Sequence, residues 1–299
     1  DSSVIAALGR EERKNLMTFS VAFEEEDFDE RKYARMVADH LGTQHHSLVV
    51  DASDPKYLRE ILHACEEPFA DSSILPTALL SRFTRQKATV ALSGDAADEL
   101  FGGYNRYVAM ENMSKFDFLP SSCRRMIRDA ASPLFQSEIE RSFKGKGKRF
   151  LRSLAQDGLD RYLAIFSKGD KSGYTDFFTE QEKITSAEYW QDYYHKSSLN
   201  AHELMALDVR TYMHHDILPK VDRASMYHSL EVRSPFLDKE VAEFAMSLPY
   251  SYKIKGNQRK RVLREAFRSD LPAEILDRPK MGFGLPMAHW FRNEWKDLI

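Results

Sequence analysis

The sequence predicts an α/β protein, with a doubly wound parallel sheet in residues 1–108 and a mainly helical remainder in residues 109–299. Three observations carry that expectation. Strand-like and helix-like patterns alternate up to Leu92, and consecutive βαβ units with right-handed crossovers build a parallel sheet. From Val108 onward the strand signals fade and long amphipathic patterns take over, as in Leu204 to Ile217 and Lys239 to Met246. Between the two regimes, Thr89-Val90-Ala91-Leu92 reads as a buried parallel strand that breaks at Ser93-Gly94 into a helix opening. Ligands in such sheets bind beyond the carboxyl ends of strands.

The elements follow in order. Ser2 to Leu8 reads as a short helix and Thr18 to Phe23 alternates like a strand. Asp29 to Leu41 places Tyr33, Met36, Val37 and Leu41 at helical spacing, with Gly42 as a stop. Ser47 to Val50 is a strand, and Asp54 to Glu66 is a helix built on Leu58, Ile61, Leu62 and Cys65. Pro76 to Gln86 is a further helix, since proline is tolerated in a first turn. The stretches Lys144-Gly145-Lys146-Gly147-Lys148 and Lys168 to Gly173 read as exposed, solvated loops. Glu24 to Asp27, Asp29 and Glu30 read as a solvated loop and a helix start. No internal repeat or low-complexity segment occurs.

Composition narrows the function. A chain of 299 residues can bury a sizeable core. A net charge of −3 gives no general affinity for nucleic acid or for an anionic membrane. No apolar run approaches the roughly 18 residues that span a bilayer. Cys65 and Cys123 lie far apart and outside any CxxC pair, which fits a reduced, cytoplasmic setting better than a disulfide framework or zinc site. His45-His46 and His214-His215 lack a third ligand at metal spacing and read as satisfied or exposed histidines.

The chemistry concentrates in Ser93-Gly94-Asp95-Ala96-Ala97-Asp98-Glu99-Leu100-Phe101-Gly102-Gly103-Tyr104. On a helix, Asp95, Asp98 and Glu99 would share one face, because positions three and four apart are neighbours. Like charges so placed call for a cation: Mg²⁺, Lys, Arg or a substrate ammonium. The competing reading is an acid-rich helix N-terminus favoured by the dipole.

This segment resembles the SG-[ED]-G-x-DE-[LV]-FGGY signature of the glutamine-hydrolysing asparagine synthetases. Lys220-Val221-Asp222-Arg223-Ala224-Ser225-Met226, followed by Glu231 to Asp238, is similar to that family's KxDRxSM…E-x-R-x-PFLD block. Arg278-Pro279-Lys280-Met281-Gly282-Phe283 resembles its R-x-K-x-GF segment. The resemblance implies the C-terminal synthetase domain, with a doubly wound fold of the ATP-pyrophosphatase (adenine nucleotide alpha hydrolase-like) type. It implies ATP-dependent amidation of aspartate through β-aspartyl-AMP, with Mg²⁺ and with ammonia from glutamine. The family's pyrophosphate loop reads SGGxDS and this chain opens at Asp1-Ser2-Ser3, while Glu294 to Ile299 ends inside an amphipathic pattern. The expectation is therefore a domain truncated at both ends, without its N-terminal glutaminase domain. A homodimer is admitted, since the sequence carries no statement of quaternary state.

Residue by residue, the resemblance implies that Ser2 bonds a phosphate and that Asp1 and Asp98 hold Mg²⁺. Ser93 and Gly94 would let backbone approach the nucleotide, and Val21 falls where adenine is held through main chain, while also being an ordinary core valine. Asp95 stands where Glu is common, and the acid there contacts the intermediate or the incoming ammonia. Ala96 replaces a residue that is often Gly and Ala97 one that is often Gly or Ser, which stiffens the loop. Lys280 would contact the α-phosphate. Lys220, Asp222 and Arg223 match a block near the pyrophosphate and aspartyl groups; alternatively Lys220 and Arg223 ion-pair with Asp216 or Asp222. Glu231 and Arg233 read as a structural pair beside Pro235. Two other functions stay open: a related amidotransferase or β-lactam-type synthetase adenylating another carboxylate, and a catalytically idle partner-binding scaffold.

Overall fold

The structure is a computed structural model and describes residues 1–25, 29–50, 55–135, 143–166, 193–194, 199–278 and 287–296. In chain order the first elements are α1 (Ser2–Glu12), β1 (Met17–Phe23), α2 (Arg31–Leu41), β2 (Gln44–Val50), α3 (Pro55–Ala64), α4 (Ile74–Arg85), β3 (Val90–Leu92) and α5 (Ala97–Phe101). There follow α6 (Asn105–Ser114), α7 (Ser121–Ala131), α8 (Phe143–Leu154), α9 (Gly158–Phe166) and α10 (Ala201–Asp208), which runs into a π-helical stretch, Val209–Ile217. The chain continues with α11 (Leu218–Met226), β4 (Glu231–Arg233), α12 (Lys239–Ser247), α13 (Tyr250–Lys253), α14 (Arg261–Ala266), α15 (Ala273–Asp277) and α16 (Met287–Arg292). No helix among the described residues is long and apolar enough to cross a membrane.

The chain packs as two units: Asp1–Asp98 with Tyr212–Ser247 and Arg261–Ile299, and Glu99–Thr211 with Leu248–Lys260. In the first unit, β1 and β2 pair in parallel across the α2 crossover, in register from Met17↔Gln44 to Phe23↔Val50. Gly42 ends α2 at φ +65°, in the left-handed conformation where glycine carries no steric penalty. Alternation sends Val21, Phe23 and Val50 into a core with Tyr57, Leu58 and Ile61 of α3, Ile74, Leu75 and Ala78 of α4, and Trp290 and Trp295. On the other face, the Thr18 and Ser20 hydroxyls lie 3.0 and 3.2 Å from the two ring nitrogens of His45. Burial, and then Arg35, lower the pKa of that imidazole.

The strands depart from the expected single sheet. β3 pairs in parallel with β4, Val90↔Glu231 to Leu92↔Arg233, as a sheet separate from β1–β2. The parallel sense holds, but among the described residues no doubly wound sheet joins the pairs. β4 itself was not foreseen, because three residues are too few to show a period of two. The expected pair within it is present, Arg233 Nη2 lying 2.7 Å from Glu231 Oε1.

The second unit is helical around Tyr107, Met110, Tyr162, Leu204, Met205, Leu207 and Ile254. A capping box opens α10: Asn200 Oδ1 accepts from the Glu203 amide at 2.9 Å, and Glu203 Oε2 accepts from the Asn200 amide at 3.1 Å. The expected loop Lys144 to Lys148 is instead the start of α8. Its glycines serve packing: Gly145 is buried, and a Cβ on Gly147 would fall 2.1 Å from Cδ1 of Phe135. The three lysines stay exposed, as their charge requires. The Lys168 to Gly173 expectation lies outside the described residues.

Lys253 is wholly buried (0% exposed), and its Nζ has no hydrogen-bond partner among the described residues. Desolvation lowers its pKa from the ordinary 10.5 to about 8. The unfolded chain therefore holds that proton more tightly, and stability rises as the pH climbs from about 8 toward 10.5. Lys253→Met keeps the unbranched length and removes the buried ammonium. It should raise the unfolding free energy at pH 7 by about 1–3 kcal/mol and flatten the alkaline rise. Denaturant titration of both proteins from pH 7 to 10 checks this; an unchanged or lowered stability would mean that Lys253 is solvated or paired.

Candidate functional site

Three segments of the first unit meet where β3 ends. The ladder continues one residue past the strand, the Ser93 amide donating to the Arg233 carbonyl at 2.9 Å. Gly94 then passes against the start of α1. A Cβ added to Gly94 would lie 2.4 Å from the Ser2 backbone nitrogen and 2.8 Å from the carbonyl carbon and Cβ of Asp1. Only glycine fits that approach, because the atoms in the way are mostly backbone. From the third segment, Ser234 Oγ donates to the Asp95 carbonyl oxygen at 2.7 Å. Asp1, Ser2, Ser93, Gly94 and Asp95, widely separated in sequence, are thus gathered in one place.

The acids are arranged differently from expectation. α5 begins at Ala97, so Asp95 belongs to the preceding turn and does not share a helical face with Asp98 and Glu99. The cause is Ala96, whose φ of +68° bends the chain ahead of the helix. A left-handed conformation costs a non-glycine residue about 1–2 kcal/mol, and Ala96 accepts it while buried. Asp98, half-buried, stays on α5. Glu99 is 1% exposed and accepts from the Tyr104 hydroxyl at 2.6 Å, an inward role in place of an exposed third acid.

Ser93 Oγ is buried without a hydrogen-bond partner among the described residues. Buried hydroxyls are ordinarily satisfied. Asp1 and Asp98 offer two hard carboxylates. Mg²⁺ is commonly held by one or two carboxylates together with substrate phosphates, so this donor set fits it. No group of three or more His, Cys, Asp or Glu forms a metal cage among the described residues.

The remaining expected residues make contacts of their own. Val21 is core, packed beneath β1. Lys220, on α11, pairs with neither Asp216 nor Asp222. Its Nζ donates at 2.9 Å to Asp71 Oδ2 and at 2.9 Å to Ser73 Oγ. Arg223 pairs with Glu67 at 2.5 Å, and Asp222 is exposed. Asp71 also accepts from the Ser73 amide and hydroxyl, both at 2.9 Å, at the entry to α4. Burial by itself would raise its pKa, but Lys220 and the two Ser73 bonds outweigh burial and hold it below the ordinary aspartate value. Asp71 and Ser73 had a sequence signal, an Asx–Ser step ahead of the apolar run Ile74-Leu75. Ser234 had none.

Lys280 lies outside the described residues. The chain leading to it is anchored: Arg278 Nη1 meets Glu30 Oε1 at 2.5 Å, and its guanidinium sits 4.7 Å from the Tyr33 ring centre. Glu25, expected to be solvated, accepts from Trp290 Nε1 at 2.8 Å. Asp29 accepts from the Arg31 amide at 3.0 Å, as a helix start should. His214 and His215 are exposed, with ring centres 4.6 Å apart.

The Gly94 contact is testable without any substrate. Gly94→Ala forces a methyl onto rigid backbone and should cost about 1–3 kcal/mol, the usual penalty of overpacking. Chemical denaturation measures it; equal stability would remove the Asp1–Ser2 approach from the site.

Comparison with known proteins identifies the family. The Asparagine synthase family matches residues 1–299. The chain is 32% identical over 307 residues to asparagine synthetase [glutamine-hydrolyzing] 1 of Bacillus subtilis, covering 100% of this chain and 47% of that protein. It is 27% identical over 308 residues to asparagine synthetase [glutamine-hydrolyzing] 3 of the same organism, covering 97% of this chain and 44% of the relative. It is 25% identical over 298 residues to amidase chry2 of Gibberella zeae, covering 92% and 44%. The chain thus spans less than half the length of each of these relatives. With a family match over its whole length, and with the signature segment folded against Asp1 and Ser2, the chain belongs to the asparagine synthase family.

Proposed function

We propose that the chain is the synthetase part of an ATP-dependent carbon–nitrogen ligase that converts aspartate to asparagine. The meeting of Asp1-Ser2 with Ser93-Gly94-Asp95 beyond the end of β3 carries this reading. That is where an α/β protein receives a nucleotide, and the close approach at Gly94 is what exposed backbone N–H groups need to reach phosphate.

A carboxylate cannot exchange hydroxide for ammonia directly, so it first gains a better leaving group. A β-carboxylate oxygen of aspartate bonds to the α-phosphorus of ATP as the bond to pyrophosphate breaks, which gives β-aspartyl-AMP. Ammonia then adds to the acyl carbon, AMP departs, and the amide sheds its proton to solvent. Such chemistry depends on positioning and charge neutralisation. Ser2 and the Ser93–Gly94 backbone bind phosphate, and Val21 main chain meets adenine. Asp1 and Asp98 would hold Mg²⁺, which would neutralise phosphate charge. Lys280 would contact the α-phosphate, and Asp95 with Asp222 would face the aspartyl group and the incoming ammonia. Arg223 turns toward pyrophosphate, and Lys220 has one N–H left for it after serving Asp71 and Ser73. Ammonia comes from glutamine, hydrolysed by an N-terminal glutaminase domain in the full-length, cytoplasmic protein.

The full-length protein with ATP, Mg²⁺ and ammonium should release AMP only when aspartate is added, not with glutamate or N-carboxyalkyl amino acids. Another acid driving AMP release better would assign the chain to a different amidotransferase. In the same protein, Lys280→Ala should raise the barrier by about 2–4 kcal/mol, the size of one lost preorganised donor. Isotope exchange between ATP and pyrophosphate in the presence of aspartate reads this out, and unchanged exchange would remove Lys280 from the site.

A further inference from the structure

Beyond the signature acids, a buried chain of contacts in the second unit has no role in the chemistry above. It begins at Asp208, the last residue of α10, which is 0% exposed. One of its oxygens accepts from the Tyr162 hydroxyl at 2.5 Å. The other accepts from Arg106 Nε at 2.9 Å, and Arg106 Nη2 lies 2.9 Å from that same oxygen. Arg106, in the first turn of α6, stacks its guanidinium 3.8 Å from the centre of the Tyr104 ring. Tyr104 in turn donates to Glu99 at 2.6 Å.

This chain ends on a helix that cannot orient itself. α5 has five residues, far below the roughly 12–15 at which a helix becomes marginally stable alone. Its pose must come from side-chain anchors. Two are apolar, Leu100 and Phe101, both buried. A directional anchor is the bond from Tyr104 to Glu99, closed across the turn at Gly102, whose φ is +74°. The next segment of that turn is tied as well, since Arg259 Nη1 donates to the Gly103 carbonyl at 3.1 Å.

We infer that Arg106 and Asp208 are positioning residues: held by Asp208, Arg106 fixes the Tyr104 ring, and Tyr104 fixes Glu99 and so the direction of α5, the helix that also carries Asp98. The inference rests on the reading of the preceding subsection. Lysine cannot replace arginine here. An ammonium lacks the flat face that stacks on the ring while its edge reaches the carboxylate.

The test is a double-mutant cycle in the full-length protein, read as kcat and KM for ATP in aspartate-dependent AMP formation, with Tm measured alongside. Arg106→Lys should lower kcat about tenfold while KM for ATP stays within about twofold. If Arg106 acts through Tyr104, then in a Tyr104→Phe background Arg106→Lys should add less than about twofold. The changes in Tm, by contrast, should persist in both backgrounds. Asp208→Asn should behave as Arg106→Lys. Should either variant fail to fold, Tyr162→Phe carries the same cycle, because it removes one bond to Asp208 and leaves Arg106 in place. Losses that multiply across the cycle, or an unchanged kcat in Arg106→Lys, overturn the inference alone. A wild-type protein without aspartate-dependent AMP formation overturns the underlying reading and this inference together.

Discussion

The approach of Gly94 to the Ser2 nitrogen is the contact on which the rest of the site depends. Two backbones at that spacing leave no room for a Cβ, so the meeting of two distant segments is decided by one residue's lack of a side chain. Everything nearby holds that geometry in place. The Ser93 amide is taken by Arg233, the Asp95 carbonyl by Ser234, and the β3–β4 ladder fixes the height at which the turn leaves the strand. The turn therefore reaches Asp95 with its main chain bonded at two points and its side chains directed by sterics. The proposed function calls for exposed backbone at such a place, and packing around it supplies rigidity.

The two buried lysines show how differently the same side chain can be used. Lys220 is desolvated but has a carboxylate and a hydroxyl at 2.9 Å, and it joins α11 to the entry of α4. Removing either charge would strand the other, so the pair fixes where α11 lies, whatever its net contribution to stability. Lys253 is buried more completely and has no such partner among the described residues. Its charge is a standing cost in the second unit, offset by the apolar packing of its neighbour Ile254 against Gly102. Burial alone does not identify a functional lysine; the arrangement of acceptors around it does.

Periodicity was enough to find the long elements. α2, α3, α4 and α12 lie where apolar spacing placed them, and Gly42 ends α2 as expected. The signature, the Lys220 block and the Arg278 segment identified the family without structure. What escaped the sequence shares a physical cause: it depends on contacts between residues far apart in the chain. β4 is defined only by its partner β3. The glycines of Lys144 to Lys148 look like a loop until Phe135 is found over Gly147. Lys220 has acids nearby at Asp216 and Asp222, yet its partner is Asp71, brought in by helix packing. Glu99 reads as one of three acids on a helical face because nothing local reveals Tyr104 folding back across Gly102-Gly103.

Ala96 completes the argument, because there a local rule and the tertiary structure disagree and the tertiary structure prevails. The signature it resembles has glycine at that position; in this chain the backbone turns left-handed there, φ +68°, with alanine. The methyl is buried, so part of the strain is returned as packing. What keeps the turn left-handed is the surrounding constraint. Ser93 and Asp95 are bonded to the strand–turn segment at Arg233 and Ser234, and α5 must start at Ala97 to bury Leu100 and Phe101. With both ends fixed, the intervening residue has no other route. A strained residue held between fixed neighbours, directly after the glycine that meets Ser2 and the acid proposed to face the substrate, is how a site holds its shape before ligand arrives.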